Sequence, residues 1–244
     1  MADRELIKRA EELARRAFGR GVYTYGDFLS PSEQAEVNSA RLVAPAEFYG
    51  GAPFCERKMA AYGDFGFERD YPLEVVEIKP RSDKFFREVT HRDFLGAILG
   101  LGIERCKVGD IFTDGKTAYA VISEKLARFV AENLLKVGAN AVYCSVCGGV
   151  PEDFAPKKET RKLNVSSLRI DSLICRLFNL PREAGAEAVT LGKVNVNGRE
   201  CVTPSFSPKE GDAISVRGHG KFIYKGESGV SSKGRLFVTV EVYK

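Results

Sequence analysis

Five apolar residues, Ile170, Leu173, Ile174, Leu177 and Phe178, recur at i, i+3, i+4, i+7 and i+8 within the stretch SLRIDSLICRLF. That spacing lines one face of an α-helix, so the stripe must be buried against a partner while Arg169 and Arg176 stay off it. The partner comes next in the chain. Pro181 opens a second helix with Arg182 in its first turn, and Gly192 ends it. Ala184, Ala186, Ala188 and Val189 are small, which lets the two helices approach closely. Lys193-Val194-Asn195-Val196 then alternates polar and apolar, and Asn197-Gly198 is the strongest short signal for a hairpin turn. The alternation predicts Val194 and Val196 inward, with Lys193, Asn195 and Asn197 outward. Gly211-Asp212 marks another turn and Ala213 to Val216 a further strand, which leaves through Arg217-Gly218-His219-Gly220-Lys221. Residues 166–244 are thus predicted to be a compact α+β module, with Arg169, Arg176, Arg182, Lys193, Arg199, Arg217 and Lys221 on one outer surface.

Charge supports a polyanionic partner for this end. Residues 157–244 hold 16 Lys and Arg against 9 Asp and Glu, whereas residues 1–156 hold 21 against 24. A basic third on a slightly acidic body points to a polyanion. Guanidinium groups bind phosphate oxygens in a two-pronged fashion, and glycines let backbone N–H groups come close. The cations are not interleaved with a row of aromatics, which favours recognition of folded RNA by shape and backbone over stacking on splayed bases.

The 244-residue chain is long enough for two or three small domains. No apolar run reaches the roughly 18 residues that span a bilayer, and MADRELIKRAEELARR lacks the apolar centre of a secretory signal. The expectation is a cytoplasmic, monomeric protein without a cofactor. Six cysteines, Cys55, Cys106, Cys144, Cys147, Cys175 and Cys201, are too sparse for a disulfide scaffold and read as reduced thiols. Cys144 and Cys147 form the one close pair, and a single CxxC without a second pair points to small buried side chains, not to zinc.

Residues 1–72 are predicted as a helical region. Leu6, Ile7, Ala10, Leu13, Ala14 and Ala17 have helical spacing with Gly19 as the stop. Ser30 and Glu33 make a capping box with Pro31 for a second helix to about Leu42, and 43–72 reads as loop with short extended pieces. Residues 73–147 change rhythm. A strand at Leu73 to Lys79 precedes a helix capped by Thr90 and Asp93. Strands at Asp110 to Phe112 and Thr117 to Ile122 follow, then a helix from Glu124 to Val137 ended by Gly138, and a strand at Ala141 to Cys144. This β-α-β-β-α-β order is the ferredoxin-like pattern. His91, Arg92 and Arg105 are candidates for a second RNA contact there. Tyr119 is the one aromatic in its central strand stretches LEVVEIK and TAYAVIS, which argues against base stacking. Residues 148–165, rich in Gly, Pro and charge, read as a linker.

The C-terminal stretch is similar to the S-four domain, also called the alpha-L RNA-binding motif. The matching residues are Arg169-Ile170-Asp171, Arg182, Gly192-Lys193-Val194, Val196-Asn197-Gly198, Gly211-Asp212 and Val216-Arg217-Gly218. The chain departs from it with Pro181 in place of a usual Ser and Gly185 in place of a usual Ala. The resemblance implies that Arg182 contacts RNA and that Asp171 orients an arginine or caps the helix. Nearly the whole chain resembles the YlmH family, through FLSPSEQ, THRDFLGAILGLGIERCKVGDIF, the C-terminal module and the following Ser232-Lys233-Gly234-Arg235. That likeness implies binding to rRNA and tRNA on the large ribosomal subunit, in translation or in rescue of stalled subunits. Photosynthetic relatives imply an alternative, a protein-assembly factor for photosystem II.

Enzymatic alternatives fit less well. A pseudouridine synthase would need a large catalytic sheet domain after Asp171, and only 73 residues follow it. A methyltransferase would need a glycine-rich loop between strand and helix, whereas GAILGLG lies in an apolar helix and at its end. A tyrosyl-tRNA synthetase would need a far larger nucleotide-binding domain. The expectation is a binding protein with no catalytic residues.

Overall fold

The computed structural model describes residues 2–82, 84, 86–231 and 234–243. They divide into two compact units, Met1–Ala155 and Pro156–Lys244. Ser232 and Lys233, which take part in the resemblance, lie outside the described residues. No helix among the described residues is long and apolar enough to cross a membrane.

In the first unit, helix α1 (Ala2–Arg20) buries Ala10, Leu13, Ala14 and Ala17. It continues past Gly19 and stops where Gly21, at φ 64°, donates to the Ala17 carbonyl at 2.9 Å. Strand β1 (Thr24–Leu29) leads to α2 (Pro31–Ser39), whose Ser30–Glu33 capping box forms as predicted, three residues shorter than expected. Strands β2 (Ala46–Tyr49) and β3 (Lys58–Tyr62) join β1 in an antiparallel sheet of order β1-β3-β2. The expectation of a helical region over 1–72 is therefore corrected to an α+β layer. Strand β3 has no readable alternation because Met59 to Tyr62 are all buried, which removes the two-residue period.

Strand β4 (Leu73–Pro80), helix α3 (His91–Leu99), strands β5 (Val108–Thr113) and β6 (Ala118–Ser123), helix α4 (Glu124–Asn133), the short β7 (Lys136–Val137) and β8 (Asn140–Cys147) follow. The sheet order is β5-β6-β4-β8-β7 with antiparallel neighbours, the ferredoxin-like arrangement. Val76, Ile78, Ile122, Phe94, Ile98 and Val130 fill the space between its sheet and helices. Helix α4 ends four residues before the predicted Val137. Gly138, at φ 56°, turns the β7–β8 hairpin instead of capping the helix. The buried Leu134 and Val137 prolonged the helical spacing, but both serve the sheet layer.

The second unit is one six-stranded antiparallel sheet with two helices on one face. Its elements are β9 (Lys158–Val165), α5 (Ile170–Phe178), α6 (Arg182–Thr190), β10 (Val194–Val196), β11 (Arg199–Glu200), β12 (Ala213–Val216), β13 (Gly220–Val230) and β14 (Leu236–Tyr243). The order is β11-β10-β12-β13-β14-β9. The tract expected as a linker thus supplies an edge strand, paired along its whole length with β14. Leu163 and Val165 alone are buried in it, and Lys and Arg on an edge strand are what keep such an edge from pairing with other chains. Ile170, Leu173 and Ile174 bury the predicted stripe against Val194, Ile214 and Phe222. Asn197 (φ 50°) and Gly198 (φ 80°) both adopt the left-handed region that a primed hairpin turn requires.

The helices meet at Gly185. A Cβ there would collide with Cys175 Sγ and lie 2.8 Å from the Asp171 carbonyl oxygen. Replacing Gly185 by Ala should overpack the α5–α6 interface and lower stability by about 1–3 kcal/mol, read as a reduced urea midpoint with an unchanged slope. A variant as stable as the parent would show that the helix spacing is not set there.

Candidate nucleic-acid interface

The α5–α6 corner forms a groove of about 680 Å³ into which four arginines project from separate parts of the chain. Arg169 precedes α5, Arg176 lies in its last turn, Arg182 starts α6 and Arg235 lies in the β13–β14 connection. The sharp corner has a local cause. Asn179 takes the left-handed conformation at φ 53° after α5, and the Leu180 N–H returns to the Cys175 carbonyl at 2.9 Å. Pro181 then caps α6. Asn164 and Asn179 add amides to the groove, and Asp171 and Glu183 are its carboxylates.

Asp171 is held by Arg169. Arg169 Nε donates to Oδ1 at 3.0 Å and Nη2 to Oδ2 at 2.5 Å, and the Ser172 N–H donates to Oδ1 at 2.7 Å. Burial pushes the Asp171 carboxyl up, but the guanidinium and the Ser172 N–H outweigh it and hold the group below the ordinary carboxylate range. Asp171 therefore orients Arg169, whose side chain stays 44% exposed while that of Asp171 is 12% exposed. Arg176 and Arg182 are exposed, and no carboxylate among the described residues pairs with either.

The remaining predicted residues divide. Lys193 and Arg217 are exposed and neighbours, joined by the Arg217 N–H to the Lys193 carbonyl at 2.8 Å. Their turn packs on the end of α5 through His219, 5.5 Å from the Phe178 ring. The Asn197 amide is engaged in its own turn, donating to Asp212 at 2.7 Å and accepting from the Ala213 N–H at 2.9 Å. Arg199 is exposed on β11. Lys221 is a correction to the single outer surface. It neighbours the buried Phe222, so it points to the sheet face opposite the helices. There it lies 5.2 Å from the Tyr243 ring, with Lys158 at 5.0 Å. Arg235 was missed as a site residue because the pairing of Leu236 with Val165, which brings it to the groove, is remote in sequence.

In the first unit, His91 and Arg92 are exposed at the start of α3, where Asp93 accepts from the Thr90 N–H and hydroxyl at 2.7 and 2.8 Å. Burial, then the Arg105 guanidinium, lowers the His91 pKa, with Asp110 partly offsetting them. Arg105 turns inward to the carbonyls of Val108 and Gly109. The sheet face that stacks bases in RNA-recognition domains is filled from within. Tyr119 is 8% exposed, meets Phe154 edge-on at 4.7 Å and donates to Glu77 at 2.5 Å, while Phe54 covers Phe112 at 5.0 Å. Cys144 and Cys147, three apart on β8, face opposite sides of the sheet and belong to different apolar clusters, so they do not converge on one ion. Burial pushes the Cys144 thiol up to about 12.

A family profile described as "Putative RNA-binding domain in YlmH" matches residues 67–147. A relative described as ribosome-associated protein quality control protein P2, from Bacillus subtilis (strain 168), is 32% identical over 227 residues, covering 89% of this chain and 86% of its own length. A solved structure described as cell division protein ylmH from Streptococcus pneumoniae superposes with a TM-score of 0.51 at 19% identity. It covers 60% of this chain and 92% of that one, and supports the α+β fold.

Because its folded carboxyl pKa is depressed, the Asp171 pair stabilises the fold above the unfolded carboxylate value of about 3.9 and ceases to do so as pH falls through the folded one. Asp171→Asn should cost about 1–2 kcal/mol at pH 7, and the gap from the parent should close toward pH 2 in urea titrations. An equal gap at both pH values would contradict the assignment.

Proposed function

Because this chain belongs to the YlmH family, we propose that it is an RNA-binding protein that works on the ribosome, contacting structured ribosomal or transfer RNA on the large subunit. The observation that carries this reading is the groove with Arg169, Arg176, Arg182 and Arg235 around a rigid helical corner. Guanidinium groups present planar sets of donors that match phosphate oxygens. Fixing them on helices before RNA arrives lowers the ordering cost of binding. In this reading Arg169, steadied by Asp171, and the exposed Arg176 and Arg182 grip adjacent phosphates, with Lys193 and Arg217 extending the grip. The protein acts by binding and positioning, in the cytoplasm, in translation or ribosome-associated quality control. It makes and breaks no bond and needs no cofactor.

The test compares the full chain with Arg176→Ala/Arg182→Ala for binding to ribosomal RNA from purified large subunits and to bulk transfer RNA across a salt series. Affinity should fall about tenfold or more, and the slope of log K against log salt should flatten by about 0.7–0.9 for each phosphate that is no longer neutralised. Unchanged affinity and slope in a folded variant would remove the groove from the interface.

A further inference from the structure

The loop end of the ferredoxin-like domain carries a second cationic surface. Three connections meet there: the described residues 81–82, 84 and 86–90 between β4 and α3, the turn 114–117 between β5 and β6, and the β7–β8 hairpin. Hydrogen bonds fix them to one another. The Arg81 N–H donates to the Ala141 carbonyl at 2.9 Å and the Val89 N–H to the Gly115 carbonyl at 3.1 Å. Asn140, only 6% exposed, holds the backbone of Arg87 from both sides. Its Oδ1 accepts from the Arg87 N–H at 3.0 Å, and its Nδ2 donates to the Arg87 carbonyl at 2.7 Å.

This clamp presents Arg81, Lys84, Arg87, Lys116 and Lys136, all exposed. Arg81 gives Nε to the Val142 carbonyl at 3.0 Å, which uses one of its five donors. Of the described carboxylates in these connections, Asp114 is turned to the N–H groups of Lys116 and Thr117 at 2.9 and 2.7 Å, and Glu88 lies beside Gly115. Among the described residues the cations therefore outnumber the acids, and the backbone is held at Arg81, Arg87 and Val89, as phosphate binding favours. The stacking face of the same domain is filled by Tyr119, Phe54, Phe112 and Phe154, so RNA has no bare aromatic platform on the central strands.

We propose that this loop end, organised by buried Asn140, is a second RNA-binding site that grips phosphates through Arg81, Lys84, Arg87, Lys116 and Lys136. The proposal rests on the reading that the chain binds RNA, and extends it to a surface separate from the α5–α6 groove.

The test uses the full chain carrying Lys84→Glu/Arg87→Glu/Lys136→Glu. Asn140 holds Arg87 through its backbone alone, so the clamp survives the change of side chain. The control carries Arg4→Glu/Arg15→Glu/Arg20→Glu on the exposed side of α1, an equal change in net charge. Both are titrated against ribosomal RNA from purified large subunits and bulk transfer RNA, with folding checked by circular dichroism. The loop-end variant should bind at least about tenfold more weakly than the control, with a salt slope flattened by about 2. A folded loop-end variant that binds as well as the control overturns the second site while leaving the groove intact. A parent chain that binds neither RNA in dilute buffer overturns the functional reading itself, and this site with it.

Discussion

The close approach of α5 and α6 at Gly185 is the constraint from which the C-terminal architecture follows. With no side chain at that position, the Asp171 carbonyl and the Cys175 thiol press directly against α6. The helices can then turn a tight corner through Asn179, Leu180 and Pro181. That corner brings an arginine before one helix, an arginine near its end and an arginine at the start of the next to a common groove. A larger residue would part the helices and separate the cations. The cysteine at 175 occupies the space that a methyl group at position 185 would need.

The groove is electrostatically graded. Arg169 is tied to Asp171, so its direction is fixed and its charge partly offset. Arg176 and Arg182 lack such a partner among the described residues and carry the net positive potential. A fixed guanidinium beside two without a carboxylate suits a ligand whose charges come at regular intervals, as they do along a phosphate backbone. On the opposite side of the same sheet, Lys158 and Lys221 flank Tyr243, and Glu241 lies within 4.0 Å of Lys158 and 3.7 Å of Lys225. On that face too the cations among these residues, Lys158, Lys221 and Lys225, outnumber the one carboxylate, Glu241.

What was legible in the sequence was what is local. The stripe from Ile170 to Phe178, the Pro181 corner and the Asn197-Gly198 turn each depend on neighbours a few residues away, and each forms where the pattern placed it. The ferredoxin-like order was readable for the same reason, since alternating strands and capped helices repeat over short spans. Strand β9 was not, because its pattern is that of a charged edge and its partner β14 lies at the other end of the unit in sequence. Arg235 was lost with that pairing. Lys221 was misplaced for a geometric reason: outward on a helix and outward on a strand are opposite sides of a two-layer sandwich. Strand β3 was hidden because burial on both faces erases alternation. Among the thiols, spacing suggested a pair, but three residues along a strand put Cys144 and Cys147 on different faces.

Ultraviolet crosslinking of the full chain to ribosomal RNA, with the adducts mapped by mass spectrometry, tests the central claim most directly. Adducts on peptides spanning Arg169 to Arg182 and on the peptide holding Arg235 are the predicted result. RNA captured by the chain with no adduct on any of those peptides would contradict it.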